Sequence, residues 1–289
     1  MDIHTLSVFI EVARSGSFSR AAENLYLTQP AVSKRIAALE NELSAPLFNR
    51  IGRHISLTEA GEILLPKALQ MIADADEMQR AVNSLSDHVG GKLLMATSHH
   101  IGLHRLPGIL RNFSQSYPDV ELDIRFMDSE VACQLVEQGE LEMAIVTLPT
   151  DKPEKLQLEH LWTDQLKVVA ATDHPLPSER HVPLDELTAY PAVLPGPTTY
   201  TRQILEKAFS RLGLQLTVNM STNYLETLKM LAETGLGWSV IPHTMLSSEL
   251  KIIDCEMKLT RHLGAVTHRM RTLSNAAKAM LAMANQSRD

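Results

Sequence analysis

The N-terminal stretch is a succession of short apolar stripes at helical spacing. Leu6, Phe9, Ile10 and Ala13 form the first, which ends near Ser15-Gly16. Phe18, Ala21, Ala22 and Leu25 form the second, and the Ser17 hydroxyl stands where it can cap that helix. Val32, Ile36, Leu39 and Leu43 form the third. It can start at Thr28, with Pro30 in its first turn, where a missing N–H costs little. Three such stripes suffice for a small helical core. The third helix then turns Gln29, Pro30, Ser33, Lys34 and Arg35 outward. An amide, a hydroxyl and two cations on the first half of a short helix suit a helix-turn-helix recognition helix in a major groove. The same residues also suit an ordinary helical hairpin with a solvated face, and the rest of the chain has to decide between the two.

After Leu43 the pattern changes. Residues 46–50, 51–54 and 55–58 read as a two-stranded wing, pinned by Leu47 and Phe48 and turned at Gly52. Arg50 and Arg53 would sit where such a wing meets backbone phosphates or a minor groove. Thr58 caps a long helix and Glu59 lies in its first turn, where the helix dipole favours a carboxylate. Within it Leu64, Ala68, Met71, Ala75, Met78, Val82 and Leu85 alternate steps of four and three, an a/d seam of about three heptads. That seam predicts pairing with a second copy of the chain, and Pro66 can bend the helix one turn in. Gly90-Gly91 breaks the pattern and forms a hinge.

From Lys92 onward strand and helix patterns alternate. Strands are predicted at 92–97, 120–126, 142–147, 165–171, 191–194, 215–220 and 237–241, and helices at 103–117, 130–138, 201–212, 223–234 and 272–285. Such alternation predicts parallel sheets with helices on both faces. The expected organisation is a winged helix-turn-helix over 1–58, a linker helix over 59–89 and an α/β domain over 90–289.

Charge sharpens this picture. The 289 residues include 27 Lys and Arg against 34 Asp and Glu, a net charge of −7. Residues 28–58 nevertheless carry Lys34, Arg35, Arg50 and Arg53 against only Glu40 and Glu42. Positive charge is local to the helix-turn-helix stretch, as a phosphate-binding surface requires. The two cysteines, Cys133 and Cys255, fit no metal spacing, and free thiols in a reducing compartment are expected. With no secretory signal and no apolar run long enough to span a bilayer, a cytoplasmic protein without a membrane partner is expected.

The runs Phe9-Ile10-Glu11-Val12-Ala13, Gly16-Ser17-Phe18-Ser19-Arg20-Ala21-Ala22, Thr28-Gln29-Pro30-Ala31-Val32-Ser33, Leu47-Phe48-Asn49-Arg50 and Leu57-Thr58-Glu59-Ala60-Gly61 carry a specific resemblance. So, more weakly, do Tyr117-Pro118, Gly139-Glu140-Leu141-Glu142, His174-Pro175-Leu176 and Ile241-Pro242. On these the whole chain resembles the LysR-type transcriptional regulators. The resemblance implies promoter DNA as partner, with Ser19 and Arg20 joining Gln29, Pro30, Ser33, Lys34, Arg35, Arg50 and Arg53 as contacts. It implies dimers paired through the linker helix and joined into tetramers, and RNA polymerase as partner of an activator. It also implies a C-terminal part like a periplasmic binding protein, with two α/β lobes around a small effector. Lobe I would hold about 91–162 and 268–289 and lobe II about 163–267, with crossing strands near 162–165 and 264–268.

Residues at the expected cleft argue for the effector's chemistry. Ligands in open α/β sheets bind beyond the carboxyl ends of strands. Ser98, His99 and His100 follow the first strand, Thr147 ends the third, and Thr198, Thr199, Tyr200 and Thr201 open a helix across the cleft. Helix N-termini with hydroxyls favour anions, so a small carboxylate or similar anion is expected. Arg202 either adds charge or points to solvent. His99, His100 and His104 lack a nearby Cys or an HExxH pattern, and no metal or other cofactor is expected. Without a P-loop, GxSxG or GxGxxG, the chain is not expected to be an enzyme.

Overall fold

A computed structural model of the chain describes residues 1–51, 54–86, 88–257 and 259–288. The chain forms two compact units, one built on Met1–Ser86 and the other on most of the chain beyond Ser86.

In the first unit, helices α1 (Ile3–Ser15), α2 (Phe18–Asn24) and α3 (Gln29–Leu43) precede strands β1 (Phe48–Ile51) and β2 (His54–Leu57) and helix α4 (Glu59–Asn83). Each helix starts on a side chain that accepts a backbone N–H: Asp2 from Thr5, Ser17 from Arg20, Thr28 from Ala31 and Thr58 from Gly61. Leu6, Phe9, Phe18, Ile36, Leu39 and Phe48 close one core. The Phe48 ring stands 5.5 Å from Phe9 and 5.8 Å from Phe18, so the antiparallel β1–β2 pair is anchored to the helices. Glu40 adds a polar anchor, its carboxylate accepting the Leu47 N–H at 2.8 Å. Leu43, expected in the buried stripe, is exposed because α3 ends there, at Ser44 in the left-handed conformation.

Helix α4 departs from the expected continuous seam. Leu64, Leu65, Leu69 and Ile72 pack on the unit's own core, and Ala68 is fully buried there. Met78, Val82 and Leu85 stay exposed, and the helix stops at Asn83, short of Leu85.

The second unit begins with β3 (Gly91–Thr97), α5 (His99–His104), α6 (Leu106–Ser116), β4 (Val120–Phe126), α7 (Ser129–Gln138), β5 (Met143–Thr147) and β6 (Leu156–Ala171). It continues with α8 (Leu184–Thr188), β7 (Ala192–Leu194), α9 (Tyr200–Ser210), β8 (Val218–Ser221), α10 (Leu225–Glu233), β9 (Ser239–Pro242), β10 (Leu250–Ile252), β11 (Leu259–His268) and α11 (Asn275–Gln286). The single helix expected over 103–117 is instead α5 and α6, parted at Arg105. Pro107, in the first turn of α6, has no N–H with which to continue the α5 ladder.

The sheet is mixed rather than parallel. β3 pairs in parallel with β4 and β5, and β7 with β8, as the βα alternation predicts. Strand β11 instead runs antiparallel to β5 and β6, and β6 runs antiparallel to β9 and β10. These two long strands join two lobes. Residues 263–267 of β11 sit beside β5 in the first lobe, and residues 166–171 of β6 sit beside β9 and β10 in the second. The crossing part of β11 therefore precedes the 264–268 expected for it. Leu93, Met95, Phe113 and Trp162 belong to the first lobe's core, and Val168, Leu194, Phe209 and Trp238 to the second's.

Where the crossing strands leave register, between Leu263 and Gly264, a side chain would run into the Glu159 carbonyl oxygen. Gly264→Ala should therefore force the strands apart and destabilise the second unit by about 1–3 kcal/mol. The check is the midpoint of urea unfolding. An unchanged midpoint would mean that the bulge relaxes freely.

Candidate functional site

Two surfaces combine exposed chemistry with a rigid backing. The first is the N-terminal half of α3. Val32, Ile36 and Leu39 are buried on its inner side, which fixes its outer side. Gln29, Pro30, Lys34 and Arg35 are exposed, and Ser33 is half-buried. The Gln29 amide donates to the Ser33 hydroxyl at 2.9 Å, so the two act as one unit. Ser19 and Arg20 are exposed on α2. Arg53 and the Arg50 side chain lie outside the described residues.

The second is a cleft of about 710 Å³, open mouth included, between the lobes of the second unit. Six of the expected residues line it: Ser98, His99, His100, Thr147, Thr199 and Thr201. Thr198 and Tyr200 do not. Thr198 is exposed outside it. The Tyr200 ring turns into the first lobe's core, with its hydroxyl beside the Cys133 thiol. Burial pushes that thiol up to about 11, so Cys133 is a packing residue, and both cysteines are free. Arg202 neither points to solvent nor lines the cleft. It is buried, donating from Nε to Glu206 at 2.8 Å and from Nη1 to the Pro195 carbonyl at 3.4 Å.

The cleft floor holds charges that no local pattern announced. Arg261 of β11 faces Asp164 of β6 in direct register, and both are buried. Asp164 accepts from Arg261 at 2.7 and 3.1 Å and from Arg105 at 3.1 Å. Burial opposes ionisation of Asp164, but the Arg261 charge and the hydrogen bonds from both guanidiniums outweigh it. The carboxyl is held below its ordinary range. Arg261 also reaches the Thr201 hydroxyl at 3.5 Å. His100 stands beside this group, and burial together with the Arg261 charge brings it down to about 4, leaving a neutral imidazole at pH 7.

The mouth is bridged between lobes. Asn223 donates to Asp128 at 2.6 Å while its carbonyl oxygen accepts the Gly196 N–H at 2.9 Å. Glu130 accepts the Tyr200 N–H, so the N-terminus of α9 already faces a carboxylate. Burial pushes Glu130 up, against the lowering effect of that hydrogen bond. His99 packs edge-on against Tyr224 at 5.1 Å, and its Nδ1 is buried without a hydrogen-bond partner. Asp128 and Glu130 follow strand β4, so the end-of-strand rule that points to Ser98 could have found them too. Arg261, Asp164 and Asn223 are visible only once the strands are paired.

Comparison with known proteins decides the family. The family model "LysR substrate binding domain" matches residues 86–288, and "Bacterial regulatory helix-turn-helix protein, lysR family" matches residues 3–62. The chain belongs to the LysR family of transcriptional regulators. It is 29% identical over 285 residues to the transcriptional activator CmpR of Synechocystis, covering 96% of this chain and 93% of the relative. A full-length OxyR variant of Pseudomonas aeruginosa shares the fold at a TM-score of 0.70 and 21% identity, covering 98% of this chain and 94% of that one. CbnR complexed with its target DNA does so at 0.65 and 18%, covering 99% and 100%. This LysR-type regulator is a DNA-binding protein with an effector-binding domain, and not an enzyme. Among its described residues no helix is long and apolar enough to cross a membrane.

Removing Asp164 would leave the Arg261 cation buried beside Arg105. Asp164→Ala is expected to destabilise the effector domain by about 3–5 kcal/mol. Chemical denaturation followed by tryptophan fluorescence measures this, since Trp162 lies in the same strand. A loss under about 1 kcal/mol would mean that water already reaches the pair.

Proposed function

We propose that this LysR-type regulator binds promoter DNA in the cytoplasm as a tetramer of paired dimers, and that a small anionic effector, a carboxylate, modulates it. The observation that carries the DNA part is the outward face of α3, where Gln29 and Ser33 form one hydrogen-bonded pair flanked by two exposed cations. Gln29 reads a base edge, since an amide matches adenine. Lys34, Arg35 and Arg20, with Arg50 and Arg53 of the wing, hold phosphates, and Ser19 and Pro30 lie against the backbone. The solved CbnR complex with target DNA supports this reading. The exposed Met78 and Val82 near the end of α4, with Leu85 just beyond it, supply the apolar contact for pairing. Where the bound regulator activates, RNA polymerase is its further partner.

In the cleft, Arg261 with the Thr201 and Thr199 hydroxyls receives the effector's anionic group, and Ser98, His99 and Thr147 accompany it. Asp128 and Glu130 favour an effector that also carries donors. Binding shifts the lobes between two arrangements only as far as the effector prefers one of them.

Gel-shift titrations against a fragment selected from the source genome test the DNA part. Gln29→Ala should lose roughly 5- to 150-fold in preference for that fragment over a scrambled one. Lys34→Ala and Arg50→Ala should weaken both alike and lower the salt slope by about one unit each. Failure of the full chain to prefer any fragment would overturn the reading. A panel of small metabolites screened by melting shift tests the effector, and stabilisation by uncharged members alone would exclude a carboxylate.

A further inference from the structure

Beside the cleft floor, three potential ligands converge that the sequence keeps apart. His100 and His104 are four residues apart on α5 and project from one face, their ring centroids 4.7 Å apart. Glu226, in the first turn of α10, comes from the opposite lobe. Its Oε1 lies 3.0 Å from His104 Nε2 and 3.7 Å from His100 Nδ1. The three ligand atoms all lie within 4.8 Å of one another. In a tetrahedral site with metal–ligand bonds of about 2.0–2.1 Å, neighbouring ligand atoms stand ~3.3 Å apart. The two measured distances bracket that spacing.

A second observation points the same way. His100 is 6% exposed, and its Nδ1, the atom facing Glu226, has no hydrogen-bond partner. Glu226 Oε2 is buried and unpartnered as well. Buried polar atoms are ordinarily paired, so two orphans at one convergence ask for a common partner. The other nitrogen of His100, Nε2, faces the Asp164 carboxylate at 3.9 Å. At that distance the carboxylate is a charge behind the ring and not a hydrogen-bond partner.

We propose that His100, His104 and Glu226 bind a divalent first-row transition metal that clasps the two lobes together. Two imidazoles and a carboxylate suit zinc, and three protein ligands leave a fourth position for water or a ligand atom. Because α5 and α10 belong to different lobes, the metal favours the arrangement in which they approach. Occupancy then biases the same equilibrium that the effector acts on, and the two ligands are energetically coupled.

The test uses the full-length protein, dialysed against chelator and titrated with zinc chloride by calorimetry. One zinc per chain is expected, with a rise in melting temperature. His104→Ala and Glu226→Gln should each weaken binding at least about ten-fold and abolish the rise. His181→Ala should do neither, although His181 also sits near two carboxylates. Cobalt titration should give the visible absorption of a four-coordinate site in the wild type and lose it in both ligand variants. Circular dichroism of the metal-free variants establishes that they fold, and Glu226→Gln keeps volume and shape should His104→Ala not. Absence of one-to-one binding at micromolar zinc would overturn the proposal. So would equal affinity in wild type, His104→Ala and Glu226→Gln, or loss only in His181→Ala. None of these readouts involves DNA or effector, so failure here leaves the regulator reading untouched.

Discussion

One buried carboxylate, Asp164, is shared by two guanidiniums where the two lobes are joined. It lies on one crossing strand, Arg261 faces it on the other, and Arg105 reaches it from the junction of α5 and α6. Hydrophobic residues of equal volume would hold these strands at least as firmly, because desolvating an ion pair costs about what the attraction returns. What the pair supplies is a fixed charge at the base of the cleft. Burial lowers the Arg261 pKa while the Asp164 carboxylate opposes that shift, and Asp164 and Thr201 fix where its guanidinium points. His100 takes its neutral state from burial first and from the Arg261 charge second, with Asp164 acting against both. The chemistry of the floor thus follows from one register, Asp164 opposite Arg261.

The mouth of the cleft has the opposite character. Its bridges, Asn223 to Asp128 and Glu130 to the Tyr200 N–H, join groups that keep some access to water. The exposed one, Asn223 to Asp128, contributes little net stability, since water replaces it when it opens. The rim thus combines an exposed polar bridge with the Tyr200 ring, which reaches from the second lobe into the core of the first. In the proposed reading, a ligand that engages Arg261 below and Asp128 or Asn223 above selects between lobe arrangements.

How much of this is readable in the chain depends on the range of each interaction. The helix caps at Ser17, Thr28 and Thr58 are local and legible residue by residue. So are the apolar stripes of α1 to α3 and the position of Ser98 and His99 beyond a strand. Tyr200 falls outside the expected cleft because a helix start does not reveal which way its first ring turns, and here burial against the first lobe decides it. Leu43 keeps helical phase but lies past the edge of the core. Asp164 and Arg261 are 97 residues apart, and nothing in either neighbourhood marks the other. Glu226 and His104 are 122 apart, and a spacing rule for metal ligands cannot join them. Long-range pairing, not local propensity, sets the functional chemistry of the cleft.

Helix α4 shows the same division within one element. Its first half is a wall of the DNA-binding domain's core, which explains why Leu64 and Ala68 are not free to pair with another chain. Its second half presents Val82 at 67% exposure and Met78 at 65%. Single exposed apolar side chains are ordinary, but an apolar stripe continuing a buried seam on one helix is costly unless covered. Covering it with the same stripe from a second copy is isologous, so it places two recognition helices in a fixed relation by symmetry. In the proposed pairing, operator half-site spacing is set by α4.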